Sequence, residues 1–153
     1  MIRFTSTSDA LLDDKGRFVL PSSFKKTMGE LAEEPLIIEK DINEPCLNIY
    51  PEKLWEEHLL MVESKLNKLD KADRFLLMQI YANYTTVTMA PNGRINIPSG
   101  YFDHAGIKRE IFFVGQGDCI SLWNEETYKE YLKKYSLQEL YNERLGNPKK
   151  EAL

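Results

Sequence analysis

Basic residues are not in excess in this chain: 20 lysines and arginines stand against 24 aspartates and glutamates, a net charge of −4 at pH 7. That excludes a protein that coats nucleic acid by bulk charge, so any polyanion contact has to be local. Histidine is scarce, with only His58 and His104. Neither is placed with a serine or cysteine nucleophile, and no phosphate-cradling glycine loop occurs, so the sequence argues against an enzyme. The carboxylate pairs Glu56/Glu57 and Glu125/Glu126 are sequence neighbours, which share no helix face, and read as solubility charges. The two cysteines, Cys46 and Cys119, have no histidine beside them and make no zinc site. Each heads an alternating apolar segment and reads as a small core thiol, with a disulfide between them the alternative that spacing leaves open. No metal and no cofactor is implied. No apolar run approaches the roughly 20 residues of a membrane span. The opening MIRFTSTSDALLDDKGR lacks the apolar stretch of a secretory signal, so the expected location is the cytoplasm, with no membrane and no small-molecule substrate as partner. Disorder is expected only in the polar stretch NPKKEAL at 147–153.

What the chain does contain is a repeat. DDKGRFVLP at 13–21 returns as APNGRINIP at 90–98, an offset of 77 residues, and CLNIYPEKLW at 46–55 returns as CISLWNEETY at 119–128, an offset of 73. A doubled pattern in the same order means a duplicated supersecondary unit, whose action is offered at two places per chain. The length of 153 residues suits one domain or two intimately packed halves.

Each half reads alike. Residues 4–12 and 17–20 predict two strands joined by a turn at Asp13, Asp14, Lys15 and Gly16; YTTVTMA and RINI, joined through Pro91, Asn92 and Gly93, repeat the arrangement. In the later strand Ile95 and Ile97 share one face and Asn96 takes the other. Pro21 and Pro98 stop these strands, and Ser22 and Ser99 stand where short helices start. Further strands follow as LIIEK and CLNIY, then EIFFVG and CISLW. A helix carrying Trp55, Leu59, Val62, Leu66 and Leu69 on one face closes the first half. In the second, Asn124 is the expected N-cap of a helix with the stripe Tyr128, Leu132 and Tyr135. A further helix from Asp70 to Tyr81 is apolar nearly all round, which predicts burial between the halves or between subunits. The expected divisions are 1–66 for the first unit, 67–84 for the connecting helix, 85–135 for the second unit and 136–153 for a C-terminal helix and tail.

The chemistry lies in the turns. The planar guanidinium fork of Arg17 or Arg94 pairs bidentately with the O6/N7 edge of guanine or with a phosphate, and the preceding Gly16 or Gly93 removes bulk beside it. Lys15 adds a phosphate contact. Asp13 repels phosphate and reads as an acceptor that orients the turn amides or an arginine. The second copy carries Ala90 for the aspartate and Asn92 for the lysine, so Arg94 is less well supported; Asn92 serves either as a polar contact or as a turn residue. Arg3 is a weaker candidate near the terminus. Lys25 and Lys26 divide evenly between phosphate contact and plain helix surface. The aromatic pairs Tyr50/Trp123 and Trp55/Tyr128 read as packing.

Asp13, Arg17 and Pro21 in the pattern Asp-x-x-x-Arg-x-x-x-Pro resemble the signature of the MraZ family, within the AbrB/SpoVT superfamily of swapped-hairpin DNA binders. The resemblance extends over nearly the whole chain through MIRF, the Lys-Gly-Arg turn, PCLNIYP, the Arg-x-Leu-Leu stretch at 74–77, the second Gly-Arg and VGQGDCISLW. It implies a mixed α/β fold of two tandem AbrB-like β-units with flanking helices, forming an intrachain pseudo-dimer. It also implies a nucleoid-associated transcription regulator assembled as a ring-shaped homo-oligomer. Such a ring binds short G-rich direct repeats of double-stranded DNA upstream of the division and cell-wall genes, with Arg17 and Arg94 as DNA contacts. The competing class is a protein-binding scaffold or antitoxin-like partner, which would more naturally display apolar anchors than paired arginines.

Overall fold

The computed structural model describes residues 1–146; the stretch at 147–153, where the sequence predicts disorder, lies outside the described residues. The first half contributes β1 (Thr7–Leu11), β2 (Arg17–Val19), α1 (Ser22–Met28), a 3-10 turn (Gly29–Glu33), β3 (Leu36–Lys40), β4 (Leu47–Pro51) and α2 (Glu52–Ser64). After α3 (Lys71–Ala82) the order returns as β5 (Tyr84–Val87), β6 (Arg94–Asn96), α4 (Ser99–Ala105), β7 (Glu110–Gly115), β8 (Ile120–Trp123) and α5 (Glu125–Tyr131), and α6 (Leu137–Leu145) follows.

The fold is mixed α/β, and the halves exchange strands. Six strands form one antiparallel sheet in the order β1-β7-β8-β4-β3-β5, so β1 pairs with the second half and β5 with the first. The remaining two, β2 and β6, form a separate antiparallel ribbon. Register exposes the symmetry. Phe18 opposes Ile95, residues 77 apart, and Asn48 opposes Ser121, residues 73 apart. Each is its own counterpart in the repeat, so a pseudo-two-fold axis runs through both pairs.

Alternation of side chains explains the layers. Leu36, Ile38, Leu47, Ile49, Ile111, Phe113, Ile120 and Leu122 are fully buried on one sheet face. They pack with Phe18 and Ile95 from the ribbon, Phe24 and Met28 from α1, and Phe102 and Ala105 from α4. On the other face, Ile37, Tyr50, Trp55, Leu59 and Cys119 form a second cluster under α2. Tyr50 packs edge-on to Trp55 at 5.0 Å, and Trp123 packs edge-on to Tyr128 at 5.3 Å. Between these aromatic groups a polar chain crosses the axis. Ser121 Oγ donates to Asn48 Oδ1 (3.1 Å), and Asn48 Nδ2 donates to Glu39 Oε1 (2.8 Å) and Asp41 Oδ2 (2.9 Å). Burial raises the Glu39 pKa above its usual range. Both cysteines are buried and free, which removes the disulfide alternative.

Several sequence expectations need correction. The strand predicted over 4–12 is broken: Phe4 makes an isolated bridge to Gly117, Ser6 adopts a left-handed φ of 69°, and regular pairing starts at Thr7. The helix starts at Ser22 and Ser99 stand as expected, with Pro21 and Pro98 at the N-cap positions and no side-chain cap bond. α2 stops at Ser64, so Leu66 and Leu69 leave its stripe, and Leu69 is 93% exposed. Asn67 causes this locally: its Oδ1 accepts from the Leu69 amide, a turn bond that competes with helix, and Asp70 then caps α3 through the Asp73 amide. α5 ends at Tyr131, leaving Leu132 and Tyr135 exposed, because Ser136 caps a new helix through the Glu139 amide and Tyr131 takes the stacking place on Trp123. α3 is not buried between the halves. Of its apolar residues only Leu77 is buried, while Phe75 is 65% and Met78 56% exposed.

Candidate nucleic-acid interface

The ribbon β2–β6 is three residues long on each strand, and its register decides what it presents. Arg17 opposes Asn96, Phe18 opposes Ile95, and Val19 opposes Arg94. Directly opposed residues in an antiparallel pair share a face. Phe18 and Ile95 therefore enter the core together, while Arg17, Val19, Arg94 and Asn96 stand on the outer face. Arg17 and Arg94 are diagonal neighbours, about 7–8 Å apart at the backbone. A two-stranded ribbon is of a size that the DNA major groove admits.

The two turns preceding the arginines share one backbone form. Gly16 N–H donates to Asp13 O (3.1 Å) and Asp13 N–H to Arg17 O (2.8 Å); Gly93 N–H donates to Ala90 O (2.8 Å) and Ala90 N–H to Arg94 O (2.9 Å). Gly16 and Gly93 have φ of 80° and 86°, a region that costs any residue with a Cβ. The turn form thus survives the change from Asp13 to Ala90.

The side chains differ between the turns. Asp13 Oδ1 accepts from the Lys15 and Arg17 amides, each at 2.9 Å, and its Oδ2 accepts from Arg17 Nε at 2.9 Å. The Arg17 amide bond, foremost, holds the Asp13 pKa below its ordinary value of 3.8, assisted by the Lys15 amide and the Arg17 guanidinium. Among the described residues only Nε is engaged, which leaves both terminal amino groups of Arg17 available to a bidentate acceptor. At the second turn Asn92 Oδ1 accepts from the Arg94 amide at 3.1 Å, and the Arg94 guanidinium has no partner among the described residues.

The other candidates fall in different places. Lys15 lies at the tip of the first turn and is exposed. Arg3 precedes Phe4, whose bridge to Gly117 sets it at the end of β1 away from the Asp13 turn, so it is not brought to the ribbon. Lys25, in contrast, reaches across the repeat boundary: its Nζ donates to Pro91 O (2.5 Å), so the first half supplies positive charge to the turn that has lost its lysine. With Lys26 it lines a concavity of about 690 Å³ that also touches Met89, Ala90 and Pro91. Lys108 and Arg109 line another, of about 360 Å³, with Asp13, Asp14 and Gly16. Sequence reading does not find these last two because only strand exchange brings β7 to the first turn, through the bond from Leu12 N–H to Arg109 O (2.6 Å).

No group of His, Cys, Asp and Glu among the described residues could hold a metal ion, and no helix among them is long and apolar enough to cross a membrane. The outer face is a cationic ribbon with hydrogen-bond donors.

Comparison with known proteins gives this surface a family. Residues 80–145 match the family model described as "MraZ protein, putative antitoxin-like". The chain is 36% identical over 126 residues to the transcriptional regulator MraZ of Bacteroides thetaiotaomicron, covering 82% of this chain and 81% of that protein. The chain belongs to the MraZ family. Other MraZ regulators align over still more of it: that of Serratia proteamaculans is 30% identical over 142 residues, with 88% of this chain and 91% of the relative covered. That of Christiangramia forsetii is 28% identical over 149 residues, 96% of each. The MraZ family model covers the second turn and Arg94 but not Arg17.

Proposed function

We propose that the chain is a sequence-specific, DNA-binding transcriptional regulator and not an enzyme, and that the outer face of the ribbon is its DNA contact. The observation that carries this reading is the register of β2 and β6, which collects two repeat-related arginines on one exposed face. The relatives are named transcriptional regulators, which supports it. In this reading Arg17 and Arg94 meet guanine edges or phosphates, and Lys15 adds a phosphate contact. Asn92 assists at the second turn, Gly16 and Gly93 permit close approach, and Asp13 orients Arg17. Arg3 is at most a peripheral phosphate contact. The target is double-stranded DNA with short G-rich direct repeats upstream of division and cell-wall genes, bound by a nucleoid-associated homo-oligomeric ring. A ring offsets the acidic charge of each chain, because linked weak contacts to repeated sites gain avidity. Its assembly surface is the α3 face bearing Phe75 and Met78, whose exposure a lone chain leaves unexplained.

The test is binding of labelled duplex from upstream of the protein's own gene, against a scrambled duplex, at physiological salt. Arg17→Ala is expected to cost about 1–3 kcal/mol on the specific duplex. A folded protein that binds neither duplex, or an Arg17→Ala variant as tight as the parent, would overturn this assignment. The first of those outcomes would favour the protein-binding scaffold reading.

A further inference from the structure

The pseudo-two-fold axis through Phe18 and Ile95 relates the outer positions of the ribbon in pairs: 17 with 94, and 19 with 96. The first pair is arginine in both halves, whereas the second is Val19 in one half and Asn96 in the other. Symmetry therefore holds for the arginines and fails for the side chains opposite them. Arg17 faces Asn96, and Arg94 faces Val19.

The two non-arginine residues stand in the terminal pairs of the ribbon, one at each end of its outer face. Asn96 Oδ1 lies 3.8 Å from the point a Cβ on Gly16 would occupy, and Val19 Cγ1 lies 3.5 Å from the same point at Gly93. Each is packed beside the turn of the opposite half. Val19 is nevertheless 51% exposed, an apolar side chain offered outward among cations. The Asn96 amide is exposed too and makes no hydrogen bond among the described residues, so its donor and acceptor are open. Neither residue is needed by the core, which the alternate positions Phe18 and Ile95 fill.

We infer that Val19 and Asn96 give the ribbon a polarity, so that one chain reads a directional DNA element in which its two arginines lie in chemically different settings. The inference rests on the DNA-contact reading above. An asparagine amide matches the N6/N7 edge of adenine, one donor to one acceptor and one acceptor to one donor, whereas an isopropyl group matches the C5-methyl of thymine. Directly opposed ribbon residues are about 5 Å apart, close enough to address neighbouring base pairs. The Arg17 side thus prefers an adenine near its guanine, and the Arg94 side prefers a thymine methyl near its own. With matching residues at 19 and 96 the outer strand positions would be alike in both directions, and the asymmetry would rest on the turns, Asp13 and Lys15 against Ala90 and Asn92.

The experiment uses the full chain and the specific duplex with each base pair changed in turn, together with 7-deazaadenine for adenine and deoxyuridine for thymine. For the parent, one 7-deazaadenine position is expected to weaken binding about 2–13-fold, the range of one lost hydrogen bond, since the N7 acceptor goes while the N6 amino group stays. One deoxyuridine position is expected to weaken it about fourfold, the value of one buried methyl. Asn96→Val should abolish the first effect and Val19→Ala the second. The double exchange Val19→Asn with Asn96→Val should move the two sensitivities to the opposite ends of the element. Circular dichroism and gel filtration of each variant establish that it folds and assembles as the parent does. If Arg17→Ala loses specific binding while these variants keep the parent's pattern at every position, the polarity inference is overturned and the DNA-contact reading stands. If the parent itself shows no specific binding, both fall.

Discussion

The Asp13 carboxylate accepts three hydrogen bonds, two from Arg17 through its amide and Nε and one from the Lys15 amide. Asp13→Ala removes the acceptor at Oδ2 and leaves Arg17 free to sample other rotamers, so specific DNA binding should weaken by about tenfold, the scale of one charge-assisted bond, with little loss on scrambled DNA. Equal weakening on both duplexes would mean that Asp13 only shapes the turn. The sign of the pH effect follows from the lowered pKa. Its stabilising contribution is complete above the ordinary value of 3.8 and is lost as pH falls through the lower folded value. Between about pH 6 and pH 8 Asp13 therefore stays ionised, and the Lys15 and Arg17 amide resonances should not titrate with it in an NMR series. The cysteines have the opposite character. Burial, reinforced by the charge of Asp118, pushes the Cys119 thiol up to about 12, and burial also raises Cys46. Native protein near pH 8 should resist thiol alkylation until denaturant is added; rapid labelling of folded protein would contradict the buried placement.

At the scale of elements, the sequence periodicity marks where helices and strands lie better than it marks where they stop. Leu66, Leu69, Leu132 and Tyr135 keep helical spacing, yet Asn67 and Ser136 use side-chain bonds to end one helix and start another. The all-round apolar character of α3 was legible, but its partner was not, because periodicity names a sticky face and never what covers it. Phe75→Glu combined with Met78→Lys should leave the fold intact, since both side chains are exposed, and should reduce the assembly measured by sedimentation. Unchanged mass would remove α3 from the subunit interface. Leu59→Ala, by contrast, opens the cluster under α2 and should cost about 2–5 kcal/mol in chemical denaturation.

For the whole molecule, strand exchange sets the unit of folding. Among the described residues β1 has its ladder only on β7, and β2 only on β6. A fragment of residues 1–66 lacks both partners and should be unfolded alone or form dimers that exchange strands between copies, as judged by circular dichroism and sedimentation. A folded monomer of that fragment would contradict this account. The sequence by itself determined the repeat, the elements of each half, the two Gly-Arg turns and the scarcity of catalytic groups, because turn chemistry, side-chain alternation and composition are local properties. It also placed Arg17 and Arg94 on corresponding turns. Only the tertiary structure decided that both arginines share one ribbon face, that Lys25 braces the opposite turn, that Lys108 and Arg109 border the first, and that Val19 and Asn96 break the symmetry between them. Those relations join residues on opposite sides of the axis. They depend on register between strands some 77 positions apart, which local propensity does not encode.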